Sequence, residues 1–122
     1  MVLGEYKLFM REFYHAHEDI MPKQIKIEMN EVVDRVLKYK PYKSEKLDYA
    51  LRGLRSYHIP NSEYRIIFAI CEECRKDGNQ SLNGCQDCDN IPSQSIILFT
   101  CGPHFIYEWL GRKLSQVQQA PQ

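Results

Sequence analysis

No run in this 122-residue chain is long and apolar enough to cross a membrane. Its opening, MVLGEYKLFMREFYHAHED, is charged and lacks the apolar core of a secretory leader, which sets the expectation of a cytoplasmic protein. Net charge is also missing. Sixteen Lys/Arg against sixteen Asp/Glu argue, on the average, against a nucleic-acid partner. There is no internal repeat and no low-complexity block to suggest a solenoid or a disordered chain. With 43% hydrophobic and 26% charged residues, the length suits one folded domain spanning 1–122.

The average charge hides an asymmetry. Arg35 to Arg65 holds eight Lys/Arg against three Asp/Glu, whereas Cys71 to Asp89 holds two against five. A basic half can meet phosphates while an acidic lobe stays clear of them, or the basic residues simply solvate a helix and its loop.

Cysteine is present in a pattern. Cys71-x-x-Cys74 and Cys85-x-x-Cys88 are two equally spaced pairs separated by ten residues that include Gly78. Two such pairs match a tetrahedral zinc site, since each can direct two thiolates at one ion. Disulfides are the alternative, disfavoured in a protein that is not exported. A redox dithiol would call for a single pair in a βαβ setting. Four thiolates leave the ion no open position, so the expected role is structural. The apolar runs Ile66–Ile70 and Ile96–Phe99 flank the pairs and predict a β-hairpin whose tip, 71–89, is a zinc-binding insertion. Cys101 falls outside that set and reads as a buried thiol.

Tyr6–Met10 reads as an opening strand and Glu12 to Ile20 as a helix of weak pattern. Pro22 suits a helix's first turn, and Ile25, Met29, Val32 and Val36 follow on one face until Pro41. Tyr42 to Gly53 reads as loop and Leu54 to Ile59 as a short strand turned by Pro60-Asn61-Ser62. Tyr64 to Ile70, apolar on both faces, reads as a central strand, with Ile96 to Thr100 beside it. Cys101-Gly102-Pro103 breaks that strand. Ile106 to Ser115 closes the chain as a helix with Tyr107, Leu110 and Leu114 on one face, before a frayed Gln-rich tail. Helices ahead of a mainly antiparallel sheet predict an α+β fold. One face of the sheet packs on those helices, and the other forms a concave surface with the last helix.

Three local stretches, in this order, resemble the RelE/ParE toxin superfamily, YoeB-like members included. Ile20-Met-Pro-Lys-Gln-Ile25 is similar to an "L-P-x-x-I" helix opening. Leu51-Arg-Gly-Leu-Arg-Ser-Tyr-His-Ile59, with Glu63-Tyr-Arg-Ile-Ile-Phe-Ala-Ile70, resembles the "L-x-G-x-x-x-Y-x-I … Y-R-I-I-Y-x-I" signature. Thr100-Cys-Gly-Pro-His104 falls where the family places "G-H-R" or "C-R-x-H". The resemblance runs from about Tyr6 to Leu114, outside the cysteine insertion, and implies an N-terminal strand, helices on the sheet, and a C-terminal helix. It implies a toxin held by a cognate antitoxin, and in many members cleavage of mRNA on the ribosome.

Carried over residue by residue, Arg65 matches the strand arginine near the scissile phosphate. Glu45, within Lys43-Ser-Glu-Lys-Leu47, matches a general base, and His104 a general acid. Tyr107 matches a late tyrosine and His58 falls where related members carry a lysine; with Arg52, Arg55 and Tyr57 they are the candidate substrate contacts. Phe105, Gly102-Pro103 and Pro60 depart from the family pattern, replacing a tyrosine and basic positions. The chemistry is coherent in its own right. Attack by a 2′-hydroxyl needs a base, an acid for the departing 5′-oxygen and a cation for the phosphorane. Structural alternatives stand beside each role: a loop charge for Glu45, a salt bridge for Arg65, a helix cap for His104, sheet packing for Tyr57. The competing functions are a ParE-like protein acting on a target such as gyrase, or an inactive interaction module.

Overall fold

The structure is a computed structural model, and it describes residues 5–48, 51–79, 90–92 and 94–119, with side chains through Leu114. Its framework is a five-stranded sheet in the order β1-β5-β4-β3-β2. The strands are β1 (Lys7–Met10), β2 (Glu45–Lys46), β3 (Arg55–His58), β4 (Arg65–Ile70) and β5 (Ser95–Gly102). β1 runs parallel to β5 and every other pair is antiparallel. β4 is central, as its two-sided apolar sequence predicts: Ile66 to Ile70 are all buried.

Each face of the sheet has its own core. On one, α1 (Glu12–Asp19) and α2 (Lys23–Val32) contribute Tyr14, Met29 and Val32 against Ile66, Phe68, Ile70, Ile96 and Leu98. On the other, α4 (Ile106–Gln119) lays Ile106, Leu110 and Leu114 over Ile67, Ala69, Ile97 and Phe99. Phe68 pairs with Leu98 but Ile67 pairs with Thr100, so Phe99 is an extra bulged residue. The bulge lets Leu98 and Cys101 point to the same face despite their odd spacing.

Several expectations need correction. α2 continues into a π-turn, Val33–Leu37, closed by Lys38 N–H donating to the Val33 carbonyl at 3.0 Å. That wider turn moves burial to Val33 and Leu37, leaving Val36 half-buried. The expected loop from Tyr42 contains a 3-10 turn, Pro41–Lys43, and β2. Two charged residues carry no strand signal of their own, and β2 exists because Glu45 and Lys46 pair with Ser56 and Arg55. β5 persists through Cys101 and Gly102 and stops only at Pro103, which has no N–H to give a ladder. α4 runs to Gln119, beyond the expected end at Ser115 and into the segment expected to fray.

The largest difference lies at the cysteines. A helix, α3 (Cys71–Asp77), follows directly on β4 where a hairpin tip is expected. Gly78 ends it in a left-handed conformation, φ 70°, with Asn79 N–H returning to the Cys74 carbonyl at 2.9 Å.

Candidate functional site

Register brings the expected chemical groups to one face of the sheet. Glu45 on β2 stands opposite Ser56 on β3, and Ser56 opposite Ile67 on β4. Two residues along, His58 stands opposite Arg65, and Arg65 opposite Gly102. Side chains repeat every second residue on a strand, so Glu45, Ser56, His58 and Arg65 share the face that α4 covers. Two strand spacings and two residues of register separate the Cα atoms of Glu45 and Arg65 by roughly 12 Å.

The first turn of α4 completes the group. Tyr107 and Ser56 share a hydrogen bond of 2.6 Å between their hydroxyls. The Arg65 guanidinium lies 5.7 Å from the centre of the Tyr107 ring and donates to the Glu63 carbonyl at 3.2 Å. Among the described residues no carboxylate reaches it. His104, exposed just before α4, sits edge-on to Tyr107 with ring centres 5.0 Å apart. His58 is exposed and hydrogen-bonds through Nε2 to the Ser62 carbonyl. A carboxylate, a guanidinium with no described carboxylate partner, an imidazole and an aromatic ring thus border one surface.

Arg55 is not part of it. Paired with Phe68, it points to the opposite face, where it is 8% exposed and grips Glu73 with two hydrogen bonds of 2.8 and 3.2 Å. Its remaining nitrogen donates to the Ser44 carbonyl at 2.9 Å. Tyr57 also turns to that face, packing against the first core and a cleft of about 340 Å³ beside Glu28, Arg35 and Ile59. Arg52 lies on the turn before β3, at the end of that strand remote from His58. The period of two explains the first pair of corrections: Arg55 and Tyr57 alternate with Ser56 and His58. Ser56 escaped notice in the sequence, where only that same alternation could have pointed to it.

A second polar cluster surrounds α3. Glu72 accepts from the hydroxyls of Tyr6 and Tyr42 at 2.8 and 3.1 Å, and Lys46 lies 3.2 Å from Glu73. Burial, then the Glu72 bond, pushes the Tyr6 hydroxyl up to about 12. Burial opposes the charge on Glu73, but hydrogen bonds from Arg55 and Lys46 outweigh it and hold the carboxyl below its usual range.

Of the four candidate zinc ligands, Cys71 and Cys74 lie one turn apart on α3, 4% and 3% exposed. Cys85 and Cys88 lie outside the described residues. Cys101 is fully buried on β5, and burial, followed by the nearby Glu18, pushes its thiol up to about 12. No described helix is long and apolar enough to cross a membrane.

No family model and no curated protein matches the sequence. Solved structures do. A chain of the toxin–antitoxin complex RelBE2 from Mycobacterium tuberculosis matches with a TM-score of 0.60 and 13% identity, over 84% of this chain and 95% of that one. The YoeB/ParE toxin from Agrobacterium tumefaciens matches with a TM-score of 0.55 and 15% identity, over 80% and 98%. The chain therefore has the fold of RelE/ParE-type toxins, the fold that its three sequence stretches imply.

Proposed function

We propose that this protein is the toxin of a toxin–antitoxin pair and cleaves mRNA at the ribosome without a catalytic metal. The observation that carries the reading is the convergence of Glu45, Arg65, His104 and Tyr107 on one face, with Arg65 unpaired by any described carboxylate. In this reading Glu45 takes the proton of a 2′-hydroxyl, whose oxygen attacks the adjacent phosphorus. Arg65 bears the developing negative charge. The bond to the 5′-oxygen breaks as His104 protonates it, leaving a cyclic phosphate on one fragment and a free hydroxyl on the other. Tyr107, oriented by Ser56, supplies a ring for an unpaired base, and His58 a further hydrogen-bonding group. The antitoxin partner is part of the same proposal, since one matched structure is a toxin–antitoxin complex.

Cys71, Cys74, Cys85 and Cys88 are proposed to hold a structural zinc ion. The described half of the set fits, because i and i+3 place both sulfurs on one buried side of α3. The ion would fix the insertion and takes no step in cleavage.

Induced expression in a bacterial host, with growth and transcripts followed together, tests the nuclease. Arrest with cleaved transcripts is expected, and Arg65→Ala should slow cleavage at least about 100-fold, the usual effect of removing one charge-stabilising donor. Growth arrest with intact transcripts, insensitive to Arg65→Ala, defeats it. That outcome favours a ParE-like protein target, a reading supported by the zero net charge and the turn of Arg55 away from the face.

A further inference from the structure

α3 presents its cysteines and its carboxylates to different sides. Successive residues of a helix are rotated by about 100°, so Glu72 and Glu73 lie opposite the side shared by Cys71 and Cys74. Glu73 reaches two strands at once. It forms the paired bonds to Arg55 on β3 and lies 3.2 Å from Lys46 on β2. The Glu73 and Arg55 side chains are 11% and 10% exposed, so their attraction is little screened by water. Arg55 extends the hold through its bonds to the Ser44 carbonyl at 2.9 Å and the Tyr42 carbonyl at 3.5 Å.

What Glu73 holds is otherwise slight. β2 is two residues long and lies at the sheet's edge, paired only with β3. Beyond it, Leu47 N–H donates to the Leu54 carbonyl at 3.0 Å. Lys46 points to α3, and its neighbour Glu45 points to the opposite face, the one with Arg65 and Tyr107. A clamp on Lys46 and on the carbonyl of Ser44 therefore fixes the backbone from both sides of Glu45.

We propose that Glu73 is a positioning residue: by clamping β2 through Arg55 and Lys46, it sets the carboxylate of Glu45 for proton abstraction across the sheet. The proposal rests on the nuclease reading above. It assigns Glu73 no contact with substrate. A misplacement of about 1 Å in a reacting group can lower a rate about 100-fold, so a short edge strand carrying a base needs such a brace.

The test compares the whole chain with its Glu73→Gln and Lys46→Met variants, the second leaving the buried pair with Arg55 intact. Two readouts are taken on folded protein: amide exchange across residues 44–47, and the kinetics of RNA cleavage. Glu73→Gln is expected to speed exchange at the Leu47 amide and to lower kcat about tenfold or more, with KM unchanged within about twofold. Lys46→Met should move both readouts the same way by less, and it keeps the question open to test if Glu73→Gln does not fold. Exchange at 44–47 unchanged in Lys46→Met and in any folded Glu73→Gln overturns the clamp. Faster exchange with kcat unchanged overturns its link to Glu45. A parent chain that cleaves no RNA sinks the nuclease reading instead, and the exchange data still decide whether Glu73 holds β2.

Discussion

At the residue scale, His17 has an environment that responds to acid. Its Nδ1 is hydrogen-bonded to the Thr100 hydroxyl, and its ring packs edge-on to Trp109 with centres 4.6 Å apart. Burial lowers its pKa because the charged imidazolium loses water there. In the unfolded chain the group titrates near 6.5, so the unfolded state binds the proton first as pH falls. The stability contributed by neutral His17 is therefore present above about pH 6.5 and declines as pH drops through that value. Melting temperatures measured from pH 7.5 to 5.5 should fall more steeply in the parent than in His17→Gln. Equal slopes would show that His17 is solvated enough in the folded state to titrate normally.

At the element scale, α4 is positioned by Gly102. This residue has φ +154°, and a Cβ there would lie 2.6 Å from the Ile106 side chain. Ile106 is 1% exposed in the second core, so neither group has room to yield. Gly102→Ala should destabilise the protein by about 1–3 kcal/mol, the usual cost of overpacking. It should also lift Tyr107 from Ser56, visible as lost protection of the Tyr107 hydroxyl or a changed Tyr fluorescence. A variant as stable as the parent would mean that α4 can shift freely. The elements most legible in the sequence are those whose own pattern dictates them. β4 is buried on both faces, and α4 buries Leu110 and Leu114 as its spacing predicts, with Ile106 in the core at the place expected for Tyr107. β2, α3 and the π-turn lack such a pattern: β2 exists by pairing with Arg55 and Ser56, Glu72 and Glu73 tie α3 to its surroundings, and the π-turn is closed by an i to i+5 bond at Lys38. The candidate site divides the same way. Glu45, Arg65 and His104 could be named from short motifs. The facing of Arg55 and Tyr57 depended on strand register, which a sequence without its pairing partners does not specify.

At the scale of the molecule, the junction of β4 and the cysteine helix touches both cores. Cys71 packs with Leu51, Leu54 and Ile97 in the second core, while Ile70, immediately before it, packs in the first. Glu72 ties the same helix to Tyr6 just before β1 and to Tyr42 ahead of β2, the two outer strands of the sheet. A metal ion gripping Cys71 and Cys74 would thus be felt by strands across the whole sheet. Structural zinc contributes folding free energy directly, on the order of 10 kcal/mol in the smallest zinc domains. Here an extensive apolar core carries part of the load, and a loss of only 2 kcal/mol already lowers the melting temperature of a domain this size by roughly 8 °C or more. Purified protein should contain one zinc ion per chain, and a strong chelator should lower its melting temperature by at least about 10 °C. Restoring zinc should reverse the change. Cys85→Ser should lose the ion and reproduce the change. A chain stripped of zinc that melts with the parent would remove the metal from the account, and leave the two buried cysteines of α3 as core residues.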